Sequence, residues 1–296
     1  MLTKKQEKKI ESLRKDFFSL SAGKEQLLQI ISEAEVFEQV YNSNAIENST
    51  LTIEETEKIL LEIDLDRYVS EREIFEAKNL ARVTEYINKT ANDKELNSDV
   101  TLFLHKVLIS SIDAKIAGRF RKEGEFVRLG NHIAPAPEKI EKNIENIFLE
   151  YKFDVHNNIS EKIAKFHLDF ETLHPFIDGN GRIGRSLNNY LLIRDGFVPI
   201  NIRFMDRLEY YRAFKEYNLS GDTVVMEGII YRALVNSYHK RIAYLKNVEI
   251  IPLNEYAKRN KLSHANLINK AKRQTIGAFR EKGVWKIGVD ECMEDK

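Results

Sequence analysis

Apolar residues recur along most of this chain at three- and four-residue spacings, the pattern of amphipathic α-helices. Residues 4–40 follow it, with a break expected at Ser21-Ala22-Gly23. The run beyond is expected to stop at Asn48, since asparagine suits the position just past a helix end. Thr52-x-x-Glu55 reads as a capping box that opens the next helix. Residues 67–89 predict a long helix with Ile74, Ala77, Leu80, Ala81, Val83 and Ile87 on its apolar side. Further helices are predicted over 101–112, 139–149, 160–173, 182–194, 203–221 and 226–244. Between 118 and 135 the pattern alternates around Gly130-Asn131, which predicts a short β-hairpin. Past residue 246, short helices at 253–259 and 263–274 precede a hairpin over 275–289, centred on Glu281-Lys282-Gly283 and packed by Trp285.

This is a mainly α chain, and its 296 residues allow more than one domain. We divide it at 1–100, 101–245 and 246–296. A hydrophobic content of 43% places it among ordinary globular proteins. Lys and Arg balance Asp and Glu at 46 each, so no global field favours nucleic acid or membrane. The single cysteine, Cys292, excludes an internal disulfide and agrees with a reducing compartment. The first residues carry mixed charge without an apolar signal segment, and no run reaches membrane-spanning length. A cytoplasmic protein without a membrane partner is expected.

The chemistry concentrates in residues 174–185, His-Pro-Phe-Ile-Asp-Gly-Asn-Gly-Arg-Ile-Gly-Arg. Pro175 biases His174 toward an extended conformation, so the preceding helix should end there and present the imidazole on a loop. Gly179 and Gly181 permit positive φ, which would let backbone N–H groups converge on one anion. The helix beginning at Arg182 would add its positive N-terminal end, with Arg182 and Arg185 sharing a face above it. Asp178 is the hard carboxylate that Mg2+ bound to a polyphosphate needs. His174 could take the proton from an incoming hydroxyl. His105 and His167 read as packing residues, since no partner spacing supports a metal.

The stretch resembles the signature of the Fic family, His-x-Phe-x-Asp/Glu-Gly-Asn-Gly-Arg-x-x-Arg, at every fixed position. The resemblance covers roughly residues 101–238. It implies a helical Fic fold with a β-hairpin flap, and transfer of AMP from ATP to a Ser, Thr or Tyr hydroxyl of a protein, with Mg2+. By that resemblance His174 is the base, Asp178 the metal ligand, Asn180 and Arg182 phosphate contacts, and Arg185 the γ-phosphate anchor. Gly179, Gly181, Ile183 and Gly184 complete the nucleotide-binding run, and Phe176 packs beneath it. Related Doc kinases have lysine where this chain has Gly181, which argues against a kinase.

Ser43-x-x-x-Glu47-Asn48 is similar to the family's inhibitory motif, in the class that carries it ahead of the catalytic loop. The resemblance implies that Glu47 pairs with Arg185 and takes the place of the γ-phosphate. It also implies a flap that binds the target's main chain, with Leu129 over the target side chain and Gly130, Asn131 and His132 near the nucleotide. Tyr211 and Asn218 would meet the adenine. Self-modification, a homodimer and removal of AMP with Glu47 as base are further family expectations. The C-terminal region is similar to excisionase-type winged helix-turn-helix domains. Its basic residues face only Glu255 and Glu281 there, so DNA is a candidate partner, as is protein docking. A DNA-binding regulator whose Fic domain senses ATP is the alternative reading.

Overall fold

Helix α1 (Lys4–Ser21) starts at Thr3, which forms a capping box with Gln6. The computed structural model describes residues 2–129 and 132–289. Gly23, at φ +72°, breaks the chain before α2 (Glu25–Ile46), as the local sequence predicts. Past α2, Asn48 takes φ 70° and the Ser49 N–H returns to Asn44 O at 3.0 Å. That turn closes the helix and sends the chain into α3 (Ile53–Leu60), which is opened by the Thr52–Glu55 capping box. Helix α4 (Glu71–Thr90) begins at 71 and not at 67, because the Ser70 hydroxyl caps it and Arg67 turns back to pair with Glu55 at 2.5 Å. Helix α5 (Ser98–Ile109) is capped by Asn97.

The flap consists of β1 (Arg128–Leu129) and β2 (His132–Ile133), antiparallel with Leu129 opposite His132. Gly130 and Asn131, and the side chains of Leu129 and His132, lie outside the described residues. Helices α6 (Ile140–Phe153) and α7 (Ile159–Leu173) lead to α8 (Asn180–Arg194), which starts at 180 and not at 182. Residues of α8 from Arg182 to Asn188, and Tyr190 to Leu192, are buried. A helix covered on nearly every side is a central helix. Helices α9 (Arg207–Ser220) and α10 (Val224–Lys246) complete this body. One core runs from Ile10 and Val40 through Leu104, Phe170, Phe176 and Leu187 to Tyr238, so the N-terminal helices share it with the residues that follow.

The C-terminal residues form β3 (Glu249–Pro252), α11 (Leu253–Arg259), α12 (His264–Lys272), β4 (Phe279–Glu281) and β5 (Val284–Val289). Strand order is β3-β5-β4, all antiparallel. The hairpin turns at Lys282-Gly283 as expected, whereas β3 was not foreseen, being only four residues with Pro252 at its end. Leu253, Ala257, Leu267, Ala271 and Ala278 make a small second core, with Trp285 and Ile287 packed on it. The basic excess meets more acid than the local sequence suggests. Arg259 pairs with Glu249 at 2.7 Å as well as with Glu255, and Lys282 reaches Glu57 on α3 at 2.7 Å. The expectation that only Glu255 and Glu281 oppose it is corrected accordingly. No helix among the described residues is long and apolar enough to cross a membrane.

Candidate active site

Helix α7 ends at Leu173, and His174 closes it in a left-handed conformation (φ 48°, ψ 61°), its N–H bonding Phe170 O at 3.0 Å. The extended geometry expected before Pro175 is not adopted. A left-handed residue also avoids the right-handed α region that proline disfavours, and it gives the helix a cap. The imidazole Nδ1 lies 3.3 Å from Glu171 O. A carbonyl can only accept, so this bond puts the proton on Nδ1 and the lone pair on Nε2.

The loop is fixed by Arg121, which the sequence did not single out, and by His105, which it marked only as packing. Arg121, 3% exposed, donates to His174 O (2.8 Å), Leu173 O (3.3 Å), Glu125 O (2.9 Å) and Pro135 O (2.9 Å). It therefore staples the base of the flap to the catalytic loop. His105, fully buried, accepts from the Gly118 N–H at 3.0 Å and donates to Asp178 O at 3.1 Å. Burial pushes its pKa down to about 4, so it stays neutral and keeps both bonds. Its ring stacks on Phe176 at 3.7 Å, which confirms both as packing residues.

Gly179 takes φ +82° at the N-cap of α8, as its type suggests. Gly181 does not; it lies in the first turn of the helix, and it matters through a close approach. A Cβ there would fall 2.1 Å from Glu47 Oε1 and 3.0 Å from Arg185 Nη1. The N-cap Gly179 has no side chain to cap the first turn of α8, and among the described residues no side-chain hydrogen bond reaches the N–H groups of Asn180 to Arg182, so the positive end of the helix is directed at this cradle. The Asn180 side chain accepts from the Phe176 N–H (2.8 Å) and donates to Phe176 O (2.9 Å), closing the loop on itself.

The two arginines diverge, contrary to the expectation of one shared anion-facing pair. Arg182 lies 3.0 Å from Asp178 and 3.0 Å from Glu76, while its buried Nε has no hydrogen-bond partner among the described residues. Asp178 is also bound by Arg72 at 2.5 Å and by the Gly179 N–H at 2.6 Å. Burial would raise the Asp178 pKa, but Arg182 and Arg72 hold it below the usual carboxylate value. An ionised oxygen donor, an unpartnered guanidinium nitrogen and an uncapped helix end fit a magnesium-bound polyphosphate.

Arg185, 7% exposed, turns to α2: it donates to Ser43 Oγ (2.9 Å), Ser43 O (2.8 Å) and Glu47 Oε1 (2.9 Å). It also donates to the Tyr210 hydroxyl at 3.0 Å, which meets His167 at 2.9 Å. Burial would lower the Arg185 pKa, but Tyr210 and Glu47 lift it above its ordinary value. Ser43, Glu47 and Arg185 are thus brought together as the resemblance implies. Tyr211 donates to Ile46 O at 2.9 Å, beside Glu47, and Asn218 accepts from Thr172 at 3.4 Å. Ile183 is fully buried as packing, and Gly184 lies against Glu171.

Glu171 is a buried carboxyl behind this site, and its Oε1 has no hydrogen-bond partner among the described residues. Burial first, then nearby Glu47, pushes its pKa up to about 8. The unfolded chain releases this proton near an ordinary glutamate pKa, whereas the folded chain keeps it up to about pH 8. Stability from this group is therefore present at low pH and falls as pH rises between those values, by about 1 kcal/mol per pH unit. Glu171→Gln is expected to flatten that slope in urea titrations from pH 5 to 8.5. An unchanged slope would show that Glu171 is already ionised.

Residues 95–192 match the family model described as Fic/DOC family. A Nematostella vectensis protein named Protein adenylyltransferase Fic is 33% identical over 253 residues, which are 83% of this chain and 57% of that one. The chain thus spans little more than half the length of that relative. A Fic domain containing signaling protein from Bacteroides thetaiotaomicron VPI-5482 superposes with a TM-score of 0.72 at 24% identity, over 80% of this chain and 97% of that one. A Fic family protein from Desulfovibrio desulfuricans G20 has a TM-score of 0.66 at 17% identity, with 98% of each chain covered. Its fold therefore parallels this chain through the C-terminal residues. The loop between α7 and α8 and the helices that flank it lie in a Fic domain, and residues 95–192 belong to the Fic/DOC family.

Proposed function

We propose that this protein is an autoinhibited adenylyltransferase that moves AMP from ATP to a Ser, Thr or Tyr hydroxyl of a protein, with Mg2+. The observation that carries the reading is the Glu47 carboxylate over Gly181, bonded to Arg185 at 2.9 Å. One acidic side chain there satisfies the arginine that a terminal phosphate would use, beside the N-terminus of α8. His174 Nε2 takes the proton of the target hydroxyl. The hydroxyl oxygen bonds the α-phosphorus, the bond to the bridging oxygen breaks, and pyrophosphate leaves. Asp178 would hold Mg2+, which when bound offsets phosphate charge. The N-terminal N–H groups of α8, with Arg182 and Arg185, bind and orient the phosphates. The flap edge pairs with the target's extended main chain. The helix–helix–hairpin order after β3 supports reading the C-terminal residues as a winged helix-turn-helix.

The test is intact-mass analysis of the Glu47→Gly protein incubated with ATP and Mg2+, alone and with cell lysate as the source of targets. Addition of AMP to the protein or to lysate proteins by the variant, and much less by wild type, is expected. Addition of phosphate would overturn the nucleotide orientation. No AMP on any protein would remove the transferase reading. Loss of AMP from a modified target with wild type alone would instead assign Glu47 to the reverse reaction.

A further inference from the structure

Helix α4 lies outside the signature, yet its first turns deliver two charged side chains to it. Arg72 Nη2 is 2.5 Å from Asp178 Oδ2, and Arg72 Nε is 3.0 Å from Glu76 Oε1. Arg182 completes the circuit, with Nη1 3.0 Å from Glu76 Oε1 and Nη2 3.0 Å from Asp178 Oδ1. Two acids and two arginines therefore alternate in a closed ring. Its members differ in exposure: the Arg182 and Glu76 side chains are 4% and 14% exposed, Asp178 33% and Arg72 57%. Arg182 and Glu76 are the fixed half. Arg72 is the exposed member, on a long flexible stem, and it occupies one oxygen of the carboxylate assigned above to Mg2+.

The geometry points to Arg72 as a stand-in cation: it pairs with Asp178 and aims its carboxylate in the resting protein, and it competes with a divalent metal for that group. The inference rests on the proposed function, because it takes Asp178 as the metal ligand. A guanidinium 2.5 Å from Asp178 Oδ2 takes up one lone pair of that oxygen and sets a positive charge where a metal would bind, so the two cations compete. Exchange of Arg72 for a divalent cation still leaves the Asp178 charge compensated. Glu76 continues to hold Arg182, so the rest of the ring survives the exchange. Arg72 is in this sense a positioning residue, and α4 adds a second restraint to the one that α2 provides through Glu47. The two restraints act on different groups, the metal ligand and the phosphate anchor.

The test uses the full chain carrying Glu47→Gly, so that nucleotide entry is not limiting, and reads Mn2+ binding by electron paramagnetic resonance at saturating AMP-PNP. Arg72→Ala is expected to tighten Mn2+ by about two- to fivefold, the competition expected of a partly exposed ion pair. Arg72→Lys, which keeps the charge, should stay closer to the parent. Lys78→Ala, which removes a cation on the same helix paired with Glu62, should leave Mn2+ affinity unchanged. Equal or weaker Mn2+ binding by Arg72→Ala would overturn the inference, and weaker binding would place Arg72 on the nucleotide. If the Glu47→Gly parent takes up no Mn2+ with AMP-PNP, the reading of the site fails and this inference fails with it. If the parent binds and Arg72→Ala changes nothing, only the role of Arg72 is lost.

Discussion

In a Glu47→Gly background, His174→Ala is expected to lower the rate of AMP transfer by about 100- to 10,000-fold, the range for loss of a positioned general base. The Nδ1 contact to Glu171 O at 3.3 Å leaves the basic lone pair on Nε2, so the ring is set for proton abstraction. Its Nδ1 contact is to a backbone carbonyl and not to a group assigned to the phosphates. Arg182 and Arg185 are held by other partners. The loss should therefore fall on kcat, with KM for ATP and AMP-PNP affinity unchanged. Rates of label transfer from ATP, with nucleotide affinity measured in parallel, check both parts. A variant that transfers as fast as its parent would deprive His174 of the base role. One that loses nucleotide affinity equally would show that the imidazole shapes the pocket.

What the sequence made legible was mostly local. The capping box at Thr52 and Glu55, the turn at Asn48 and the end of α7 at Leu173 are decided by residues within a few positions of one another. The loop at 174–185 was legible because its chemistry is contiguous. Where reading failed, the deciding contact came from far along the chain. Arg72 and Asp178 are separated by 106 positions, and nothing in the pattern of α4 distinguishes Arg72 from any other surface arginine on it. Arg121 is likewise indistinguishable in sequence from Arg119, which pairs with Glu125 nearby. Asn180 and Gly181 show the subtler failure. Both lie in the signature, but the asparagine serves the loop's own backbone, and the glycine makes room for a carboxylate from α2 instead of adopting positive φ. Residue type marked the site correctly while leaving the physical task of each member open.

Arg121→Ala is expected to cost about 3–4 kcal/mol of folding stability, the scale of removing a charged donor from several buried acceptors. Its guanidinium satisfies carbonyls of Glu125, Pro135, Leu173 and His174, while the bond from its backbone N–H to Pro175 O survives the substitution. Those belong to two segments that β1 and β2 alone would hold weakly, since a hairpin of two-residue strands has little stability of its own. Burial lowers the Arg121 pKa, but an arginine starts so high that it stays charged and its bonds stay charge-assisted. Arg121→Lys should recover little, because one ammonium cannot reach carbonyls spread around a planar fork. Urea denaturation gives the total. Hydrogen exchange should show where it falls, with protection lost over 120–135 and 173–176 before the core around α8 and α10. A loss below about 1 kcal/mol, or exchange raised evenly across the chain, would mean that the flap and loop are held by their own contacts. If the staple is as described, transfer should decline with flap protection at temperatures where the helical body is still folded. The flap edge and the His174 backbone are then positioned by the same side chain.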